Sequence, residues 1–245
     1  MANIIIQKLT TKDHKLVNFR YYDLLVHTFV VILLISNLVA PKIIAVGPFR
    51  VSGAQVLFPI TYIFGDIFTE VYGYAGSRRA IWVGFFSSFL LAAIAKISVW
   101  LPAAPEWQNQ AAMATMFDMV PRIVVASLIA FWAGEFTNSY VMAKMKLFTD
   151  GKHLWTRTVG STVAGQAVDT MLVITLTFFG RASWSTMANL ILSGYLFKVI
   201  YEVAATPLTY LIVNSLKRAE GVDIYDTDTN FSPFAAAKVR ESMEI

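Results

Sequence analysis

Long apolar runs separated by short polar stretches divide this chain into six segments. Each run is continuous rather than alternating, which favours helix over strand. About 20 apolar residues at 1.5 Å rise cover a bilayer core of about 30 Å. The pattern predicts spans over roughly 24–46, 54–73, 80–101, 121–145, 157–179 and 187–215. Asn37 and Pro41 interrupt the first near its far end. Pro59 and Gly65 weaken the second, and Trp82 and Trp100 bracket the third as expected interface anchors. Lys96 is expected to snorkel, and PAAPEWQNQ after it reads as a polar loop. Gly160, Ser161, Ala164 and Gly165 give the fifth span a small-residue face, suited to internal packing or to a homodimer. Pro207 should kink the sixth.

Composition fits this pattern. Of 245 residues, 56% are hydrophobic and 15% charged, against about 25% charged in a soluble domain. The expected fold class is therefore an all-α polytopic membrane protein with six transmembrane helices. It divides into an N-terminal tail (1–23), a six-helix domain (24–217) and an acidic C-terminal tail (218–245). Six spans put both termini on one side. Twelve Lys and Arg fall at span ends on that side, against Lys42, Arg50, Lys96, Arg122 and Arg181 on the other, so both termini are expected in the cytoplasm. The polar start leaves the first span to target the chain. The net charge of +4 comes from these helix ends and does not indicate nucleic acid. With no Cys and three scattered His, no disulfide, thiolate, metal site or cofactor is expected. Asp226-Thr-Asp228-Thr-Asn230 opens like a calcium loop but meets Phe231 and Ala237 where Gly and Glu are needed, so it reads as a solvated acidic tail. P-loop, HExxH and GxSxG motifs are absent.

The chemistry lies inside the spans. FPITYIFGDIFTEVYGYAG carries Asp66 and Glu70 four residues apart, on one helical face. An acid at mid-membrane costs about 2.5–3.5 kcal/mol on insertion scales, so neither should face lipid. Glu135 and Asn138 in the fourth span, Gln166 and Asp169 in the fifth, and Lys198 and Glu202 in the sixth repeat the pattern at spacings of three or four. Convergence of this set on one interior is expected, with five acids to one Lys. The excess implies bound protons or a donor-rich ligand, since carboxylates and amides together can take several N–H groups and a carbonyl. Tyr62, Phe64, Trp132 and Tyr195 are available to stack on a flat ring. Each pair also has a packing alternative: Lys198 and Glu202 can neutralise each other, and Gln166, Asp169 and Asn138 can serve as interhelical hydrogen-bond glue. Gly65-Asp66 and Gly134-Glu135 echo each other too briefly to define a repeat.

Four blocks in order, FPITYIFGDIFTEVYGY, GEFTNSYVMAKMK, LWTRTVGSTVAGQAVDT and KVIYEVAATPLTY, resemble the vitamin uptake transporter family, also called the queuosine precursor transporter family. The resemblance implies a six-helix layout similar to substrate-binding subunits of energy-coupling-factor transporters, and no enzymatic activity. It implies import of 7-cyano-7-deazaguanine and 7-aminomethyl-7-deazaguanine across the bacterial inner membrane, by a secondary carrier or facilitator. The alternative is a binding subunit that needs a separate ATPase module. Carried over by motif, the substrate-binding residues are Asp66, Glu70, Glu135, Asn138, Gln166, Asp169 and Glu202, with Lys198 as a charge partner.

Overall fold

The computed structural model describes residues 7–10, 19–39, 42–46, 49–53, 57–117, 121–180, 183–227 and 229–235. Six helices dominate: α1 (Tyr22–Val39), α2 (Phe58–Trp100), α3 (Gln110–Phe117), α4 (Pro121–Phe148), α5 (Leu154–Phe178) and α6 (Trp184–Glu220). Four short strands accompany them, β1 (Gln7–Thr10), β2 (Ile43–Val46), β3 (Phe49–Ser52) and β4 (Val222–Tyr225).

Helix α1 ends at Val39, short of the expected span end at 46, and β2 and β3 follow as an antiparallel ribbon with Val46 opposite Phe49. Pro41 carries no N–H and disfavours helix in the residue before it, which is the sequence-level stop. Pro59 falls in the first turn of α2, where its missing donor costs nothing.

The second and third expected spans are joined without a loop. They form one element, α2, broken at Gly73, whose φ of 72° and ψ of 174° lie in a region essentially reserved for glycine. The packing of α1 shows what this break does. Tyr22 meets Phe68 and Tyr72 before the break and donates to the Gly76 carbonyl after it. Further along, Phe29 meets Phe64 and Phe68 on one arm and Gly84 on the other, and Asn37 reaches Ser88. Both arms therefore lie along α1 in opposite directions, and Gly73 is the tip of a helical hairpin. The contacts of α4 agree: Glu135 and Asn138 meet Gly65 and Asp66, while Trp132 and Ser139 meet Trp82 and Ser77. Helices α5 and α6 then run antiparallel in turn, with Gly160 against Met145 and Tyr210 accepting from Trp155 N.

Among the described residues four helices are long and apolar enough to cross a membrane: Tyr22–Val39, Ile60–Trp100, Leu154–Phe178 and Trp184–Glu220. Their outer surfaces are apolar. Phe86, Phe89, Leu90 and Ile94 on α2, and Ile200, Val203 and Leu211 on α6, are each about half exposed or more. Helix α5 is inverted relative to a soluble helix, since its buried face carries Arg157, Thr158, Ser161, Thr162, Gln166, Asp169, Thr170 and Thr177. A polar interior under an apolar exterior suits a protein dissolved in lipid. Pro207 sits inside α6 without ending it, and the short helix α3 follows the expected polar loop after α2, starting at its last residue, Gln110.

The two tails are built into one end of the bundle. Strands β1 and β4 pair in parallel, Gln7 opposite Val222 and Thr10 opposite Tyr225. Glu220, at the end of α6, accepts from Arg20 N, Tyr21 N and the Tyr72 hydroxyl, which ties the start of α1 to the close of α6. Asp226 is buried, not solvated as its acidic surroundings suggest. Its carboxylate accepts from Tyr74 N at 3.0 Å, satisfying a donor that the Gly73 break leaves open. Beyond it, the carbonyls of Phe231 and Pro233 accept from the Tyr74 hydroxyl and Trp82 Nε1. Trp82 thus holds the tail, whereas Trp100 is 87% exposed.

Candidate functional site

Close contact between α4 and α5 sets the geometry of the interior. A Cβ on Gly165 would lie 2.8 Å from Asn138 Cβ and 2.9 Å from the Gly134 carbonyl, and one on Gly134 would lie 2.7 Å from Asp169 Cβ. The small-residue face of α5 is thus used inside the chain. It brings Glu135 and Asn138 beside Gln166 and Asp169. Gly65 does the same for α2, since the Glu135 carboxylate rests against it, 2.8 Å from where a Cβ would stand. The two Gly-acid steps that echo in the sequence meet here.

Around this contact the helices present Asp66 and Tyr62 from α2, Glu135 and Asn138 from α4, Gln166 and Asp169 from α5, and Lys198 and Glu202 from α6. All are buried except Lys198, which is half-buried. Asn138 Nδ2 donates to Asp66 Oδ1 at 3.2 Å. The Asp66 and Glu202 carboxyls lie within hydrogen-bonding reach of each other, and Gln166 lies beside the Tyr62 phenol. Glu135 has Asp169, Glu202 and Lys198 as its neighbouring charges. Lys198 pairs with Asp169, not with Glu202 as spacing along α6 suggests, and its ammonium lies 5.9 Å from the Tyr62 ring centre. Among the described residues Glu202 has no cation partner. Asp66 Oδ2, Asn138 Oδ1 and both Glu202 oxygens receive no hydrogen bond among the described residues. An unmet buried acceptor costs about 1–3 kcal/mol, more when charged, so this group is suited to meet incoming donors.

Glu70 is placed differently. One turn along α2 from Asp66, it is the centre of a buried charge cluster. Arg157 donates to both its oxygens at 2.7 Å, Lys217 Nζ to Oε1 at 2.5 Å, and Lys146 Nζ stands 3.5 Å away while donating to the Glu70 carbonyl at 2.7 Å. Asp223 of β4 completes the cluster, 2.6 Å from Lys146 and 2.8 Å from Lys217. Burial pushes the Asp223 carboxyl up, but the two lysines outweigh it and hold it below the usual range. The expected ratio of five buried acids to one base is corrected accordingly, because Lys146, Arg157 and Lys217 turn inward instead of lining a cytoplasmic surface. Helical spacing carried the signal. Arg157 shares a face with Ser161 and Gly165, and Lys146 lies eight residues, about two turns, after Asn138.

Of the aromatic candidates, Tyr62 borders the polar group. Phe64 packs on Phe29 and Phe68, facing α1. Trp132 joins Trp82, Phe136 and Phe234 under the C-terminal tail. Tyr195 is half-buried on α6, one turn before Lys198. Among the described residues no group of three or more His, Cys, Asp or Glu is placed to hold a metal ion.

Residues 52–212 match the family described as "Putative vitamin uptake transporter". A "Probable queuosine precursor transporter" of Bacillus subtilis (strain 168) is 26% identical over 176 residues, covering 71% of this chain and 77% of the relative. The "Queuosine precursor transporter" of Escherichia coli (strain K12) is 22% identical over 188 residues, covering 74% and 81%. No solved structure matches. The matched segment spans both arms of α2, α4, α5 and the site-bearing part of α6, and the chain belongs to the vitamin uptake transporter family, as a multi-pass membrane transporter and not an enzyme.

Proposed function

We propose that this transporter imports the 7-deazaguanine precursors of queuosine, 7-cyano-7-deazaguanine and 7-aminomethyl-7-deazaguanine, across the bacterial inner membrane as a secondary carrier or facilitator. The observation that carries the reading is the set of buried acceptors on Asp66, Asn138 and Glu202, drawn from three helices, that receive no donor among the described residues. A guanine-like edge offers adjacent N–H donors and a carbonyl. A carboxylate can take two such donors, and an amide can serve the carbonyl. The names of the two curated relatives support the same substrate class. The recognition groups are Asp66, Glu135, Asn138, Gln166 and Glu202, with the Lys198–Asp169 pair and Tyr62 at the margin and Tyr62 available to stack. Glu70 serves this site from one turn away, by holding α2, α4, α5 and α6 together.

The layout proposed is six passes: α1, the two arms of α2, α4, α5 and α6. The paired tails then lie in the cytoplasm, as the distribution of Lys and Arg favours, in an arrangement like that of energy-coupling-factor binding subunits. The test is ligand-induced thermal stabilisation of the detergent-purified protein with guanine, both deazaguanines, riboflavin and biotin. Stabilisation by the deazaguanines and not by riboflavin or biotin is expected. Stabilisation by one of the vitamins alone would refute the substrate class. Uptake by the purified chain in liposomes then separates a carrier from a binding subunit that needs an ATPase.

A further inference from the structure

Charges around the candidate site do not balance. Among the described residues, Asp66, Glu135, Asp169 and Glu202 have one cation in their midst, Lys198, and it pairs with Asp169. The other cations buried nearby, Lys146, Arg157 and Lys217, are held by Glu70 and Asp223. Asp66 and Glu202 come from α2 and α6, are each 1% exposed, and present their carboxyls to one another within hydrogen-bonding reach. Asn138 orients the pair: its Nδ2 fixes Asp66 Oδ1, and its own buried Oδ1 receives no donor among the described residues. Two ionised carboxylates have only acceptors and repel, so they do not sit in contact inside a protein without a cation. One proton between them converts the repulsion into an O–H···O bond and leaves a single negative charge to accept from a ligand.

We propose that the Asp66–Glu202 pair is a proton-binding site and that one proton crosses with each substrate molecule. The inference rests on the substrate reading above. The proton comes from the side that supplies substrate, lies between the two carboxyls during the crossing, and passes to water on the receiving side, so no other reactant is consumed. Glu135 and Asn138 on α4 and Tyr62 on α2 face the pair; behind them Asp169 on α5 and Lys198 on α6 stand against Glu135, and Gln166 on α5 stands against Tyr62. Helix α1 contributes aromatic and aliphatic packing from Phe29 and Leu33. The charge of Glu70 is matched within its own cluster. With one proton bound, the pair keeps one acceptor carboxylate and sheds the second buried charge. Proton and donor-rich substrate therefore bind cooperatively, and the coupling is reciprocal.

The test uses the full chain in liposomes containing a pH dye, with 7-cyano-7-deazaguanine as substrate because it carries no charge of its own. Internal acidification in step with uptake, one proton per molecule, is expected, and dissipating the pH gradient should end accumulation. In detergent, affinity should fall about tenfold per pH unit above the midpoint of the pair, as linkage of one proton requires. Infrared difference spectra of the ligand-free protein should show a carboxylic-acid carbonyl band that is lost in E202Q, whether or not that variant binds substrate. If deazaguanines stabilise the protein while uptake ignores the pH gradient and the acid band is absent or unchanged in E202Q, the proton site is overturned and the substrate reading stands. If the acid band disappears in E202Q but no deazaguanine stabilises the protein, the proton site is upheld and the substrate reading falls.

Discussion

Replacing Glu70 by glutamine removes one charge from among three cations and scarcely changes shape. The three do not suffer equally. Lys146 keeps Asp223 at 2.6 Å and the Glu70 carbonyl at 2.7 Å, and Lys217 keeps Asp223 at 2.8 Å. Arg157 loses its bidentate carboxylate partner and keeps only neutral acceptors, one amide oxygen and the Lys152 carbonyl, while its side chain is 2% exposed. Stranding a buried charge by removing its partner costs about 3–5 kcal/mol, and Arg157, with a charge that proteins cannot neutralise, has no way to relieve it. The expected result for E70Q is a large drop in melting temperature in detergent and a smaller folded yield, with the loss of uptake following the loss of folded protein. The double variant E70Q/R157Q should recover part of the stability lost in E70Q, because it removes the stranded charge as well. The reasoning is refuted if E70Q melts like the unaltered protein while uptake is abolished. Glu70 would then be a substrate ligand after all, and its cation shell incidental.

Other substitutions test other parts of the structure. E135Q should leave the melting temperature near that of the unaltered protein and weaken deazaguanine-induced stabilisation, both read in one melting series. Gly73→Ala forces a side chain into backbone geometry reserved for glycine and within 2.7 Å of Ile224 Cγ2, so about 1–3 kcal/mol of stability should be lost in a denaturation series. Gly165→Ala should cost about 1–3 kcal/mol by pushing α4 from α5, and binding should fall with it because Asn138 sits on the displaced contact. Asp223 gives a pH signature. Its folded-state pKa is depressed, so its contribution is present above the unfolded value of about 3.9 and is lost as pH falls through the lower folded value. Acid should release the β4 end, with greater protease access to the tail, and D223N should show that access already at neutral pH.

What the sequence reveals and hides divides along physical lines. The apolar runs locate α4, α5 and α6 to within a few residues, because in lipid each must satisfy its own backbone and so forms as a unit. The end of α1 shifts because hydropathy continues past Pro41 into β2, and an apolar run does not say whether it is helix or strand. The reversal at Gly73 falls where the second apolar run was expected to end, but its tightness is hidden: it takes one residue, and the six positions expected between the spans, 74–79, are already helix. Asp66, Glu135, Asn138, Gln166, Asp169 and Glu202 are legible as residues that cannot face lipid, yet their partners are not. Pairing along α6 suggests Lys198 with Glu202, whereas the bond forms across helices to Asp169. Asp226 reads as a solvated acid because its neighbours in sequence are polar, while its role is to accept from Tyr74 N, 152 positions away.

Burial alone does not tell Asp66 from Glu70, since they are 1% and 0% exposed and one helical turn apart. Compensation does. Opposite charges 4 Å apart attract by about 4 kcal/mol at an effective dielectric of 20. Glu70 has Arg157, Lys146 and Lys217 inside that distance. A neutral N–H donor from a substrate would have to displace a charged donor from each oxygen, at a net loss, so Glu70 is poorly suited to recognise an uncharged ring. Asp66 has one amide donor on one oxygen and a second carboxyl beside it. A substrate donor there replaces nothing and fills an unmet acceptor. The two acids therefore divide the work of the bundle. Glu70 fixes the positions of four helices at the end where the tails pair, and Asp66, one turn further in, is held in place by that frame with an oxygen still open to a ligand.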